Sequence, residues 1–243
     1  MLCVLGYFLK KTFECCMTNK KRTVIIAIST LLVAYLIAGL GNIYSNIVIA
    51  IYVVIYNSYG MQFTREVIDG REFLPKFDFK SIPLGIKASI IISIYGGIQA
   101  LFLYGISLLF DFPSFEMEEL VLKLPETIHQ IYTHNPVHSL LFFVLSIIVF
   151  YITIFFMEIA LAQLADGGKF FDSFNLKLIK GYIDKIGWVT YATDYTAVLL
   201  ILMVLGLFEF VPVLNVVMVT LSYSLFFIVE FNAIGLIFRK TKT

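Results

Sequence analysis

Three carboxylic acids stand inside long apolar runs of this 243-residue chain: Glu158, Asp194 and Glu230. A charged carboxylate at the centre of a membrane helix costs on the order of 2.5–3.5 kcal/mol, so each needs a reason to be there. Glu158 lies eight residues before Asp166, Asp194 nine after Lys185, and Glu230 nine before Arg239. At about 1.5 Å per helical residue, all three fall roughly 12–14 Å from the basic boundary. No Lys or Arg shares that depth. Carboxyls gathered there without a cation would hold protons or bind a cation. Gln99 and Gln163 are candidates to add amide ligands. The plainer alternative is that each acid is neutral or meets a linker lysine, Lys177 and Lys185 being long enough to reach the interface.

Other chemistry is thinly signalled. His129, His134 and His138 stand near Glu126, but Pro136 interrupts the last pair, and outer-surface polarity is the default over a metal site. There is no glycine-rich phosphate loop, no His-Glu-x-x-His and no Gly-x-Ser-x-Gly. No catalytic residue, metal or cofactor is expected. Cys3, Cys15 and Cys16 form no Cys-x-x-Cys, so neither a disulfide framework nor a zinc site is indicated. A net charge of +1 without a basic face argues against nucleic acid.

The elements that must position these residues are membrane helices. The chain is 60% hydrophobic and 14% charged, against about 25% charged in soluble domains. The excess lies in blocks long enough to span a bilayer. Six spans are read, at roughly 23–40, 43–63, 84–110, 138–164, 187–208 and 213–237. Tight turns at Gly39 to Asn42 and at Glu209 to Pro212 join the first and last pairs. Ser81 and Pro83 suit the start of the third span. No small-x-small cleavage site follows the first apolar run, so a cleavable signal peptide is not expected. The organisation is a cytoplasmic interfacial helix over 1–22, one six-span domain over 23–238, and a basic tail over 239–243.

Two interfacial helices are expected. Over residues 2–17, Leu5, Phe8, Leu9, Phe13 and Cys16 recur at helical spacing opposite Lys10, Lys11 and Glu14. In the acidic loop 111–136, an apolar stripe from Met117 to Ile131 suggests another, capped by Ser114 and bent at Pro125. On the third span Ser89, Ser93, Gly97 and Gly105 form a row of small residues, expected to pack against another span.

Basic residues fix the expected sense. Of 18 Lys and Arg, 17 fall in the amino-terminal segment, the linkers at 65–87 and 165–186, and the tail; only Lys123 falls elsewhere. Six spans put those 17 on one side, which the positive-inside rule makes the cytoplasm. Both termini are then cytoplasmic in a multi-pass cell-membrane protein.

The two linkers align at an offset of 97. Asp69, Gly70, Phe73, Phe77, Lys80, Ile82 and Ile86 match Asp166, Gly167, Phe170, Phe174, Lys177, Ile179 and Ile183. Seven identities in twenty positions compare with about one or two by chance. The flanking spans run in the same direction, so the repeat is parallel, with units at about 43–110 and 138–208. Convergence on a glycine turn followed by an aromatic segment is the alternative. Phe73, Pro75 and Phe77 stand among Lys76, Asp78 and Lys80, a pattern that settles at the headgroup level, as an anchor or as a docking surface.

These same residues carry a family resemblance. Tyr59-Gly60, Arg65, Ile68-Asp69-Gly70, Leu74-Pro75, Phe77-Asp78, Gly85 and Tyr95 resemble the pattern of an archaeal, largely methanogen, membrane-protein family known as domain of unknown function 4013. Ala162, Leu164-Ala165-Asp166-Gly167 and Phe174 resemble its second half, and the likeness spans roughly residues 40–235. It implies the architecture and transfers no catalytic or binding residue. The expectation is an all-α integral membrane protein with six transmembrane helices, interfacial amphipathic segments and a parallel internal repeat. Its expected role is a scaffold or lipid- or protein-interacting component. Its partners would be the lipid bilayer and a protein or second copy, not nucleic acid. The alternative is a small proton- or cation-coupled transporter using the intramembrane carboxylates.

Overall fold

The computed structural model describes residues 2–39, 42–71, 73–109, 136–207 and 215–242. Eight α-helices occur among them: α1 (Leu2–Thr18), α2 (Lys20–Gly39), α3 (Asn42–Ile68), α4 (Ile82–Leu109), α5 (Pro136–Ala165), α6 (Leu176–Ile186), α7 (Trp188–Leu207) and α8 (Asn215–Arg239). Two short 3₁₀ turns, Phe79–Ser81 and Phe170–Phe174, complete the linkers. No strand occurs among the described residues. Among the described residues, four stretches are long and apolar enough to cross a membrane: Asn46–Ile68, Phe79–Leu109, Pro136–Ala165 and Trp188–Gly206. The runs read at 23–40 and 213–237 are also helical, as α2 and α8. The acidic-loop helix with Ser114 and Pro125, and the turn at Glu209 to Pro212, lie outside the described residues.

The chain forms two compact units, Met1–Ile91 with Glu158–Thr243, and Ile92–Met157. The first holds the packed interior. Its centre is the seam between α3 and α8. Tyr59 stacks on Phe227 with centroids 5.6 Å apart, Tyr56 meets Phe227 edge-on at 4.7 Å, and Thr64 Oγ1 donates to Phe231 O at 3.0 Å. Close van der Waals packing and interhelical hydrogen bonds hold this seam. Small residues set the spacing: a Cβ on Gly235 would lie 2.7 Å from Val67 Cβ.

The expected small-residue row is placed differently. Gly97 and Gly105 have no described atom within 4 Å of an added Cβ. Close approach occurs lower on α4, at Gly85 and Ser89. Ser89 Oγ donates to Gly85 O at 2.9 Å and accepts from Asn57 Nδ2 at 2.9 Å. Among the described residues, the contact with α3 is made at Gly85 and Ser89.

Ser81 stands immediately before α4, its Oγ donating to Asp78 O at 2.6 Å, while Asp78 caps the preceding 3₁₀ turn, its Oδ1 accepting from Lys80 N at 3.0 Å. On α1 the buried face is Phe8, Thr12 and Cys15, whereas Leu9 and Phe13 point outward. The apolar stripe read from sequence was thus rotated by part of a turn. With apolar groups on both faces, α1 packs on α7 and α8 and offers Phe13 outward, as an interfacial helix should.

The cysteines give a direct check on α1. Cys3 is exposed, Cys15 is buried, and Cys16 is half-buried with its thiol pushed up by burial, partly offset by a hydrogen bond with Thr23. The thiolate is the reactive form. A maleimide at neutral pH should therefore modify Cys3 first in the folded protein, with Cys16 well behind. Mass mapping that finds Cys16 labelled as fast as Cys3 would contradict this placement.

Candidate functional site

α5 and α8 each carry one of the candidate acids to a shared place. Glu158, near the end of α5, and Glu230 on α8 line one cavity with Tyr191, Tyr195, Val198 and Leu202 of α7. The cavity holds about 20 Å³, room for about one water. The Tyr56 hydroxyl reaches Glu230 from α3. Glu158 Oε2 is buried with no hydrogen-bond partner among the described residues. The two carboxyls stand close enough for a charge on Glu230 to act on Glu158. Two carboxyls on one small cavity are a donor set of the kind that a proton or a small cation takes.

Asp194 does not join them. It is buried and forms an ion pair with Lys240, just beyond α8. Both line a separate cavity of about 330 Å³ with Cys3, Val4, Tyr7 and Phe8 of α1. The sequence placed all three acids at one depth; Asp194 stands three residues after Tyr191, at the border of the cavity-lining stripe, and its carboxylate is taken by Lys240 instead. Gln163 is also elsewhere. It is buried beneath the second linker, where Ser173 Oγ lies 3.3 Å from its Oε1 and 3.3 Å from Ala160 O. Gln99 belongs to the other unit. Neither amide is among the residues lining the Glu158 cavity.

The two linkers begin alike. Gly70 N donates to Val67 O at 3.0 Å and Arg71 N to Glu66 O at 2.8 Å. Gly167 N donates to Leu164 O at 3.1 Å and Gly168 N to Gln163 O at 3.0 Å. These are matching Schellman ends, with Gly70 and Gly167 at φ 87° and 94°, a conformation that suits glycine. Asp69 accepts from Arg71 at 3.2 Å, while Asp166 pairs with Lys242 at 2.5 Å.

Beyond the glycines the linkers diverge. In the first, Leu74 and Pro75 are buried, Pro75 O accepts from Tyr59 OH at 2.9 Å, and Phe73 and Phe77 remain exposed with Lys76. In the second, Phe170 packs edge-on against Phe174 at 5.5 Å and the chain enters α6. Asn175 caps α6 by accepting from Lys177 N and Leu178 N. Ile179, Ile183 and Ile186 turn inward. Tyr182 packs on Phe238, and its hydroxyl is pushed up by burial and by the charges of Asp166 and Asp172. Gly187, at φ 91°, ends the helix.

The basic segments of this unit meet at one end. Arg22 donates to Leu74 O, tying the start of α2 to the first linker. Arg239 Nη1 lies 3.5 Å from Val67 O, and Lys242 ties the tail to the second linker through Asp166. Lys240 and Lys242 were read only as sidedness signals; their pairing with Asp194 and Asp166 had no local pattern to reveal it. Tyr191, Tyr195, Val198 and Leu202 do recur at helical spacing, and that face was there to be read. His129 and His134 lie outside the described residues; His138 is exposed. No group of three metal-ligating side chains occurs among the described residues.

A family model described as "Protein of unknown function (DUF4013)" matches residues 43–214, and the chain belongs to that family. No curated protein and no solved structure matches it.

Proposed function

We propose that this DUF4013 protein is a six-span protein of the cell membrane, with both termini cytoplasmic, that acts as a scaffold or as a lipid- and protein-interacting component. Four spans are supported by length and apolarity. Helices α2 and α8, of 20 and 25 residues, have the length to add two, since about 20 residues cross a bilayer core. The meeting of the basic segments at one end supports a single cytoplasmic face. The matched glycine ends at Gly70 and Gly167 support the parallel duplication. Its partners are the bilayer and a protein or second copy, and it carries out no catalysis.

The observation that carries this reading is how the intramembrane acids are accommodated. Asp194 is answered by Lys240. Glu158 and Glu230 face a space of about 20 Å³, which fits one water and not a passage. A second reading, a small proton- or cation-coupled transporter, is favoured by the convergence of those two carboxyls and by the unpartnered Glu158 Oε2.

Proteoliposomes with a trapped pH-sensitive dye separate the two. The scaffold reading expects proton flux equal to that of protein-free vesicles across an imposed potential, in the parent chain and in Glu158→Gln and Glu230→Gln. Flux well above that background, abolished by either substitution, would establish the transporter.

A further inference from the structure

A groove of about 530 Å³ opens between α2, α3, the first linker and α8. That is the size of a small-molecule pocket, yet its walls are mostly those of a membrane helix. Ile25, Leu32 and Ile55 line it and are 63%, 56% and 43% exposed. At the linker end stand two cations, Arg22 and Lys76, and no carboxylate is among the lining residues. Tyr52 and Ser29 add hydroxyls along the wall.

We propose that this groove holds an anionic phospholipid from the leaflet on the basic side. Its acyl chain lies along Ile25, Leu32 and Ile55, and its phosphate sits between Arg22 and Lys76. The inference rests on the membrane-component reading above and names the lipid chemistry and the place.

Charge and shape together choose the occupant. One end offers only positive charge and the rest offers apolar surface, which is the polarity of a lipid entered from the bilayer. Arg22 spends one donor on Leu74 O, which holds its guanidinium at the linker. Its remaining N–H groups suit the paired oxygens of a phosphate. Lys76 rides on a segment fixed by Gln62 Nε2, which donates to its backbone carbonyl at 2.8 Å, and by Tyr59 OH on the adjacent Pro75 carbonyl. A zwitterionic lipid would fill the apolar part equally well, but its headgroup cation would face both side-chain cations. The preference should therefore be for net negative charge.

The test uses the full chain in nanodiscs of phosphatidylcholine doped equally with phosphatidylglycerol, released into mild detergent and weighed by native mass spectrometry. The expected result is one retained phosphatidylglycerol per chain, at least tenfold over phosphatidylcholine. Lys76→Gln should lower that preference several-fold, and Arg22→Gln should lower it further. Leu32→Trp should expel the lipid while leaving the charges in place. Arg22→Gln also removes the contact with Leu74, so Lys76→Gln and Leu32→Trp, which do not, decide the matter if that variant fails to fold. Equal retention of both lipids, retention indifferent to Lys76→Gln and Leu32→Trp, or a lipid-free dimer with the groove covered by a second copy would overturn the proposal. Its failure in a chain that passes no protons would leave the scaffold reading intact. Proton flux with lipid retained would overturn that reading and leave the lipid site standing.

Discussion

A Gly85→Leu chain should lose about 3 kcal/mol or more of stability and fail to give a monodisperse protein in detergent. A Cβ at Gly85 would lie 2.6 Å from Ser58 N and 2.6 Å from Val54 O, and would also strike Ser58 Oγ. Two of those atoms are backbone, so no rotamer change relieves the clash; α3 and α4 must separate. Separation also breaks the Asn57 to Ser89 hydrogen bond one turn away. Overpacking a tight interior typically costs about 1–3 kcal/mol, and more where backbone must move. Gly97→Leu is the matched control, because an added Cβ there meets no described atom within 4 Å. Unfolding by denaturant in detergent should rank Gly85→Leu far below the parent and Gly97→Leu beside it. Equal losses would mean that the α3–α4 seam is misplaced.

That contrast shows how far the sequence could be read. Span positions follow from hydropathy, and each expected span corresponds to a helix within a few residues; α3 begins one residue early and ends five late. The side of a helix is harder. An all-apolar helix has almost no polar face to orient it, so the Ser89, Ser93, Gly97, Gly105 row looked like one interface, whereas an added Cβ at Gly97 or Gly105 meets no described atom within 4 Å. The two linkers teach the same point. Matching glycine ends follow from local backbone demands and were legible as Asp-Gly at 69–70 and 166–167. What came after was not. Ile86 is 44% exposed, whereas its counterpart Ile183 is fully buried. The second copy also ends at Gly187, where the first continues as α4. Among the acids, the convergence of Glu158 and Glu230 and the pairing of Asp194 with Lys240 were not legible, because both depend on how separate helices pack.

The second large effect is expected at Lys240. Asp194 has a side chain only 5% exposed and takes its countercharge from Lys240, whose side chain is 41% exposed. Removing the lysine strands a buried carboxylate. Breaking such a pair costs about 3–5 kcal/mol when fully buried, and the partial exposure of Lys240 places Lys240→Met near the lower end, at about 3 kcal/mol. Adding Asp194→Asn to the same chain should restore at least half of the loss, since the stranded charge is then gone. Lys242→Met should cost about 0–1 kcal/mol, because its pair with Asp166 is more open, at 43% and 30% exposure. The order Lys240→Met, then the double variant, then Lys242→Met distinguishes a buried tie from a surface one. A Lys240→Met chain as stable as the parent would remove the tail from the account of how Asp194 is tolerated.

The proposed six-span arrangement gathers the amino-terminal segment, both linkers and the tail on one cytoplasmic face. Its most direct test is sidedness. Lys10→Cys, Lys80→Cys, Lys177→Cys and Thr241→Cys, each alone in a chain lacking its native cysteines, would be exposed to a membrane-impermeant thiol reagent. All four should be protected in intact cells and labelled in inverted membrane vesicles. Labelling of any one of them from outside intact cells would put a basic segment on the opposite face and contradict the six-span arrangement.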